Sequence, residues 1–141
     1  MSATATATGL DLWPQDLEPK GQPSPSAILR QQGYRLGERT DQVVYGEVES
    51  LHENREFRHT LVLTASYLKL RQPIVAVKHK LSPYPADVWS MNDRGDTVEA
   101  RQVRDAEQLR EFLREVFKYP TTIDLIQSLL AQTRDLDADA E

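Results

Sequence analysis

The chain has 141 residues, 39% of them hydrophobic, and 17 Lys and Arg against 22 Asp and Glu give it a net charge of -5. That is enough for one domain with an ordinary core and too little for two. It has no cysteine, which excludes disulfides, thiolate metal ligands and Cys nucleophiles and fits a reducing, cytoplasmic setting. Met1–Gly9 lacks the basic and apolar regions of a secretory signal, and no apolar run approaches the ~20 residues that span a bilayer, so no membrane is expected.

Residues 1–23 combine an Ala/Thr run, Ala3–Thr8, with Pro14, Pro19 and Pro23. Such a composition buries too little surface to offset chain entropy, and a disordered arm is expected there. Within it Leu10, Leu12, Trp13 and Leu17, flanked by Asp11 and Asp16, form a short apolar segment that either folds onto a partner or tucks onto this chain's own surface.

A single α+β domain is expected over residues 24–133. Ser24 is a fitting N-cap with Pro25 in the first helical position, and a helix follows to about Arg39. Ile28, Leu29 and Leu36 share its apolar stripe with Gly33 and Gly37, a pattern that implies close packing on a sheet. Strands over Val43–Leu51 and Phe57–Ala65 alternate with period two, His59 sharing a face with Phe57, Leu61 and Leu63. Like faces meet only when paired residue numbers sum to an odd value. A two-residue loop at Glu53 and Asn54 satisfies this and sets Glu49 opposite Arg58, Val48 opposite His59 and Gly46 opposite Leu61.

A third strand is read at Ile74–Leu81, after Pro73, and Pro83 and Pro85 stop it. Strands at Asp87–Met91 and Thr97–Val103 flank the turn residues Asn92–Asp96. Asp105 with Gln108 opens an amphipathic helix whose stripe is Leu109, Phe112, Leu113, Val116 and Phe117. Pro120 is expected to end or kink it, and Thr121 or Thr122 to cap a last helix carrying Ile123, Leu125, Ile126, Leu129 and Leu130. After Thr133 the acidic residues Asp135, Asp137, Asp139 and Glu141 read as a disordered tail over 134–141. The expected architecture is an N-terminal helix, an antiparallel meander of four to five strands and two C-terminal helices packed on one face.

Motifs for chemistry are sparse. Six scattered glycines form no phosphate loop, and Ser26, Ser50, Ser66, Ser82, Ser90 and Ser128 sit in no triad-like context. A divalent-ion nuclease motif needs an acid two residues before its Lys. Lys78 has Ala76 there and Lys80 has Lys78. His59 and His79 fall on one face of neighbouring strands, a weak candidate metal or proton-sensitive pair with Glu47 or Asp87 nearby, whereas His52 sits at the hairpin tip.

The stretch from Phe57 to Ala86 holds Arg58, Lys69, Arg71, Lys78 and Lys80 without an acid, so it is +5 and the rest of the chain -10. Pairing with Glu47 and Glu49 across the sheet would neutralise it. Lys69, Arg71, Tyr84 and Trp89, with Trp13, are the candidate binding residues. The chain therefore reads as a non-enzymatic protein-protein interaction module of the chaperone, inhibitor or immunity-like, or adaptor type. It needs no cofactor, and its partner is another protein or a second copy. Two alternatives are a small enzyme or metal-binding protein using His59 and His79, and a nucleic-acid-binding module using the basic 58–80 stretch, which the overall acidity disfavours.

Overall fold

A computed structural model of the chain describes residues 10–18 and 21–140, with side chains through 136. The Ala/Thr run and Glu141 lie outside the described residues. Helix α1 is Pro25–Arg39, and the hydroxyl of Ser24 accepts from the Ala27 amide at 3.3 Å. At its C-terminus the Thr40 hydroxyl accepts the Val44 amide at 3.1 Å, and Asp41 and Gln42 turn the chain with φ of 53° and 66°. The five strands are β1 (Tyr45–Glu53), β2 (Glu56–Ala65), β3 (Leu70–His79), β4 (Ala86–Met91) and β5 (Thr97–Val103). They form one antiparallel meander in the order β1-β2-β3-β4-β5.

The hairpin parity is as expected, but the register is one two-residue step away. The loop is Asn54 and Arg55, with φ of 52° and 66°, so Glu49 faces Thr60, Val48 faces Leu61, Gly46 faces Leu63 and Ser50 faces His59. Two positive φ angles make this the mirror-type turn whose twist matches that of the strands, and Asn is the residue that takes its first position most readily.

The third strand also differs from the expected Ile74–Leu81. A 3₁₀ turn at Ser66–Leu68, closed by Lys69 at φ 54°, starts β3 at Leu70, and Pro73 lies inside the strand. Val62 pairs with Pro73 and Leu61 with Val75, so Ile74 is the extra residue of a bulge. Pairing with β4 begins only at Val75. Pro73 thus sits where a ladder amide is dispensable.

Helix α2, Ala106–Phe117, has Asp105 as N-cap accepting from the Gln108 amide at 2.8 Å, while the Gln108 side chain accepts from the Arg104 amide at 2.8 Å. Helix α3 is Pro120–Ala140. Pro120 opens it instead of serving as a break ahead of a threonine cap, since its missing N–H is one that a first turn leaves unbonded anyway. The backbone helix continues through residues 134–140, where the sequence suggested a tail.

The three helices pack on one sheet face. Ile28 and Leu29 of α1, and Leu109, Phe112, Leu113 and Val116 of α2, meet Leu61, Leu63, Val75, Val77, Val88 and Val103 in the main core. Leu129 of α3 joins Val44 and Ala65 in a second cluster beside the 3₁₀ turn. Gly33 and Gly46 bring α1 and β1 together backbone to backbone; a Cβ on Gly46 would stand 2.6 Å from the Gly33 Cα. Among the described residues, no helix is long and apolar enough to cross a membrane.

Candidate functional site

The face of the sheet away from the helices carries Tyr45, Glu47, Glu49 and Leu51 from β1, Arg58, Thr60, Val62 and Thr64 from β2, and Ala76 and Lys78 from β3. Asp87, Trp89 and Met91 of β4 and Ala100 and Gln102 of β5 complete it. No helix covers it among the described residues. Trp89 lies across from Ala76 and Ala100, two side chains too small to hide it, and the Arg58 guanidinium sits over its ring at 5.3 Å. Val62, Thr64 and Ala76 are buried on this face.

Arg71 bridges Glu49 at 2.8 Å and Glu47 at 3.1 Å, so the expected cross-strand neutralisation holds for this cation. Hydrogen bonding to Glu49 and Glu47 raises its pKa. The basic stretch is dispersed in space: Arg58 and Lys78 share the open face near Trp89, Lys69 caps the 3₁₀ turn, and Lys80 lies past the end of β3. Of the candidate binding residues, Arg71 and Trp89 come to one face. Tyr84 is packed against the main core on the helix side and donates to the Pro23 carbonyl at 2.9 Å; burial pushes its pKa up to about 12. It ties the arm to the domain. Trp13 is 73% exposed, its amide donating to Asp11 Oδ1 at 3.0 Å.

On the helix side, at the hairpin end, four rings line up. His52 stacks on Phe57, Phe57 on His79, and His79 lies beside His59 with centroids 4.4, 5.3 and 5.1 Å apart. His59 Nε2 and His79 Nε2 are 3.1 Å apart, Ser50 Oγ is 2.7 Å from His59 Nδ1, and His79 Nδ1 is 2.7 Å from the Lys80 carbonyl. A carbonyl only accepts, so neutral His79 carries its proton on Nδ1 and accepts at Nε2. His59 then donates from Nε2 and accepts the Ser50 hydroxyl at Nδ1. One proton arrangement satisfies the whole chain, and a proton arriving at His79 Nε2 reverses His59 and Ser50 together.

Serine, imidazole and a second imidazole have the connectivity of nucleophile, base and orienting group, and Ser50 is the member the sequence did not single out. Its signal was the turn: with Asn54 in the first loop position, Ser50 falls opposite His59. The electrostatics oppose that chemistry. A general base must become an imidazolium as the hydroxyl attacks, yet burial, His79 and Arg30 all disfavour the charged form and bring the His59 pKa down to about 4. For metal binding a third ligand is needed. Glu47 and Asp87 lie on the opposite face, and no group of three or more His, Asp or Glu among the described residues is placed to hold a metal ion.

On β5, Arg101 covers the Phe112 ring at 5.0 Å and bonds Glu99 and Glu115, and Tyr119 donates to Glu99 at 2.8 Å. The Tyr119 hydrogen bond, then Arg101, lowers the Glu99 pKa. This network fastens α2 to the edge strand. No family model, no curated protein and no solved structure matches the chain.

Proposed function

We propose that this chain is a non-enzymatic binding module that engages a partner protein through its helix-free sheet face. The observation that carries the reading is Trp89, held half-buried under Arg58 on a face that no helix covers. An aromatic ring and a guanidinium over a floor of small side chains are the anchor groups of protein interfaces. The dispersal of the cations, and the pairing of Arg71 with two glutamates, favour a protein over a polyanion. The His59 chain supports the same reading, because its surroundings hold the base neutral.

Site-specific photocrosslinking in the native cell tests this. A photoreactive residue replacing Leu51 or Ala100 on the open face is expected to capture a protein, and the same residue replacing Glu111 on α2 is not. Trp89→Ala combined with Arg58→Glu is expected to abolish the adduct while leaving the circular dichroism spectrum intact. Adducts of equal yield at Glu111, or none at the open face, would sink the proposal.

A further inference from the structure

A cavity of about 420 Å³ opens between α1 and α3 above the sheet, with Leu36, Leu61, Leu63, Ile74, Phe117 and Ile126 as its apolar lining. Its volume is that of a small-molecule site, an apolar concavity with a few convergent polar groups. Most of the polar groups here are donors. Arg35 and Arg39 of α1 stand exposed at the mouth with no ion pair or hydrogen bond among the described residues. Glu38 stands beside them, so two arginines against one glutamate give the rim a net charge of +1.

A second set of donors lies inside. Thr122, 8% exposed, lines the cavity from the first turn of α3, and its hydroxyl has no hydrogen-bond partner among the described residues. The helix starts at Pro120, and the Ile123 amide is the first to bond back, to the Tyr119 carbonyl at 3.0 Å. The amides of Thr121 and Thr122 are left unpaired among the described residues. A helix start of this kind turns free N–H groups and the positive end of its dipole toward an anion. A buried donor without an acceptor is costly, so the site suits a group that the chain itself does not provide.

We propose that the cavity binds a single-chain amphipathic acid, a fatty carboxylate, with its hydrocarbon chain against Leu61, Leu63 and Ile126 and its head between the Thr122 donors and the two arginines. An ionised carboxylate offers acceptors only, which is what unpaired amide, hydroxyl and guanidinium groups lack. The chain's own apolar segment is the poorer fit. Leu10, Leu12, Trp13 and Leu17 carry no side-chain acceptor, Asp11 already accepts the Trp13 amide at 3.0 Å, and Asp16 is already engaged. Those four apolar side chains stand exposed in the structure and none lines the cavity.

The test titrates decanoate, below its micelle-forming concentration, into the full chain and follows it by isothermal calorimetry and by ¹⁵N-resolved amide shifts. One equivalent is expected to bind, with the Thr121 and Thr122 amide protons moving downfield. Octanoate is expected to bind roughly fifteenfold more weakly, for the loss of two buried methylenes. Decanol keeps the chain and lacks the charge, and it is expected to bind at least about tenfold more weakly than decanoate. Arg35→Gln with Arg39→Gln, at the exposed rim, is expected to cost decanoate a similar factor and decanol nothing. Ile126→Trp, which fills the cavity, should abolish binding of both, whereas Trp13→Ala should leave decanoate affinity unchanged. No binding, equal affinity for acid and alcohol, an unmoved Thr122 amide, or tighter binding in Trp13→Ala, which would make the arm the occupant, would overturn the proposal.

Discussion

Alanine in place of Gly33 and alanine in place of Gly37, one helical turn apart on the same face of α1, should act in opposite directions. Each replacement gains up to about 1 kcal/mol of helix propensity. At Gly33 the added methyl would meet backbone, with the Gly46 carbonyl carbon at 2.8 Å and its Cα at 2.9 Å, and no rotamer change relieves a clash with main chain. Overpacking of that kind costs roughly 1–3 kcal/mol, and here the upper end applies because the helix itself must lift off β1. At Gly37 the nearest atom is the Gln42 Oε1 at 2.7 Å, the end of a side chain that can swing aside, followed by the Tyr45 Cβ at 3.2 Å. The expected outcome is a loss of about 1–2 kcal/mol for Gly33→Ala and a change between zero and about 0.5 kcal/mol in favour of folding for Gly37→Ala. Urea denaturation followed by circular dichroism measures both. Thermal midpoints should separate by roughly 5 °C or more. If the two variants melt together, the backbone contact between α1 and β1 is not what holds the helix down.

Three further substitutions probe other parts of the chain. His59 takes a proton near 6.5 when unfolded but only near 4 when folded, so the unfolded state binds more protons between those values and stability falls as the pH drops through that window. The size is on the order of 2 kcal/mol, and His59→Gln should flatten this part of the pH profile, as judged by urea midpoints at neutral pH and near pH 4. Arg55→Gly, at a position with φ of 66°, should stabilise the hairpin by roughly 0.5 kcal/mol in the same assay. Asp105→Ala removes the acceptor for the Gln108 amide and should cost about 1 kcal/mol, with amide exchange accelerating first in the opening turn of α2.

The order of elements was legible because each carries a local signal. Ser24 and Pro25, Asp105 and Gln108, and the turn at Asn92, whose Oδ1 accepts the amides of Arg94 and Asp96 at 2.9 Å, state their roles in a few adjacent residues. The hairpin register was not, for a specific reason. Both the expected and the observed pairings keep Val48, Leu61 and Leu63 on the core face, so the hydrophobic pattern cannot separate them. Only the turn does, by placing Asn54 in the first of two positive-φ positions. Pro73 misled in the same way: a proline at a bulge and a proline ahead of a strand look identical until the partner strand shows where the ladder needs an amide.

The candidate site follows from relations that no single segment contains. Alternation places Trp89 with Asp87 and Met91, but whether that face is core or surface depends on where three helices dock, and they dock on the other side. The pairing of His59 with His79 was readable, since both follow the apolar face of adjacent strands. The consequence of the pairing was not. A two-residue change of register exchanges Val48 for Ser50 opposite His59, and with it an apolar neighbour for a hydroxyl. That hydroxyl orders the proton chain, while burial first, then His79 and then Arg30 of α1 disfavour the charged form of His59. Burial beside a cation and a second imidazole leaves His59 poorly suited to accept a proton from Ser50. Its hydrogen bonds to Ser50 and His79 suit it instead to fixing β1, β2 and β3 together at the hairpin end, where few other side chains are buried.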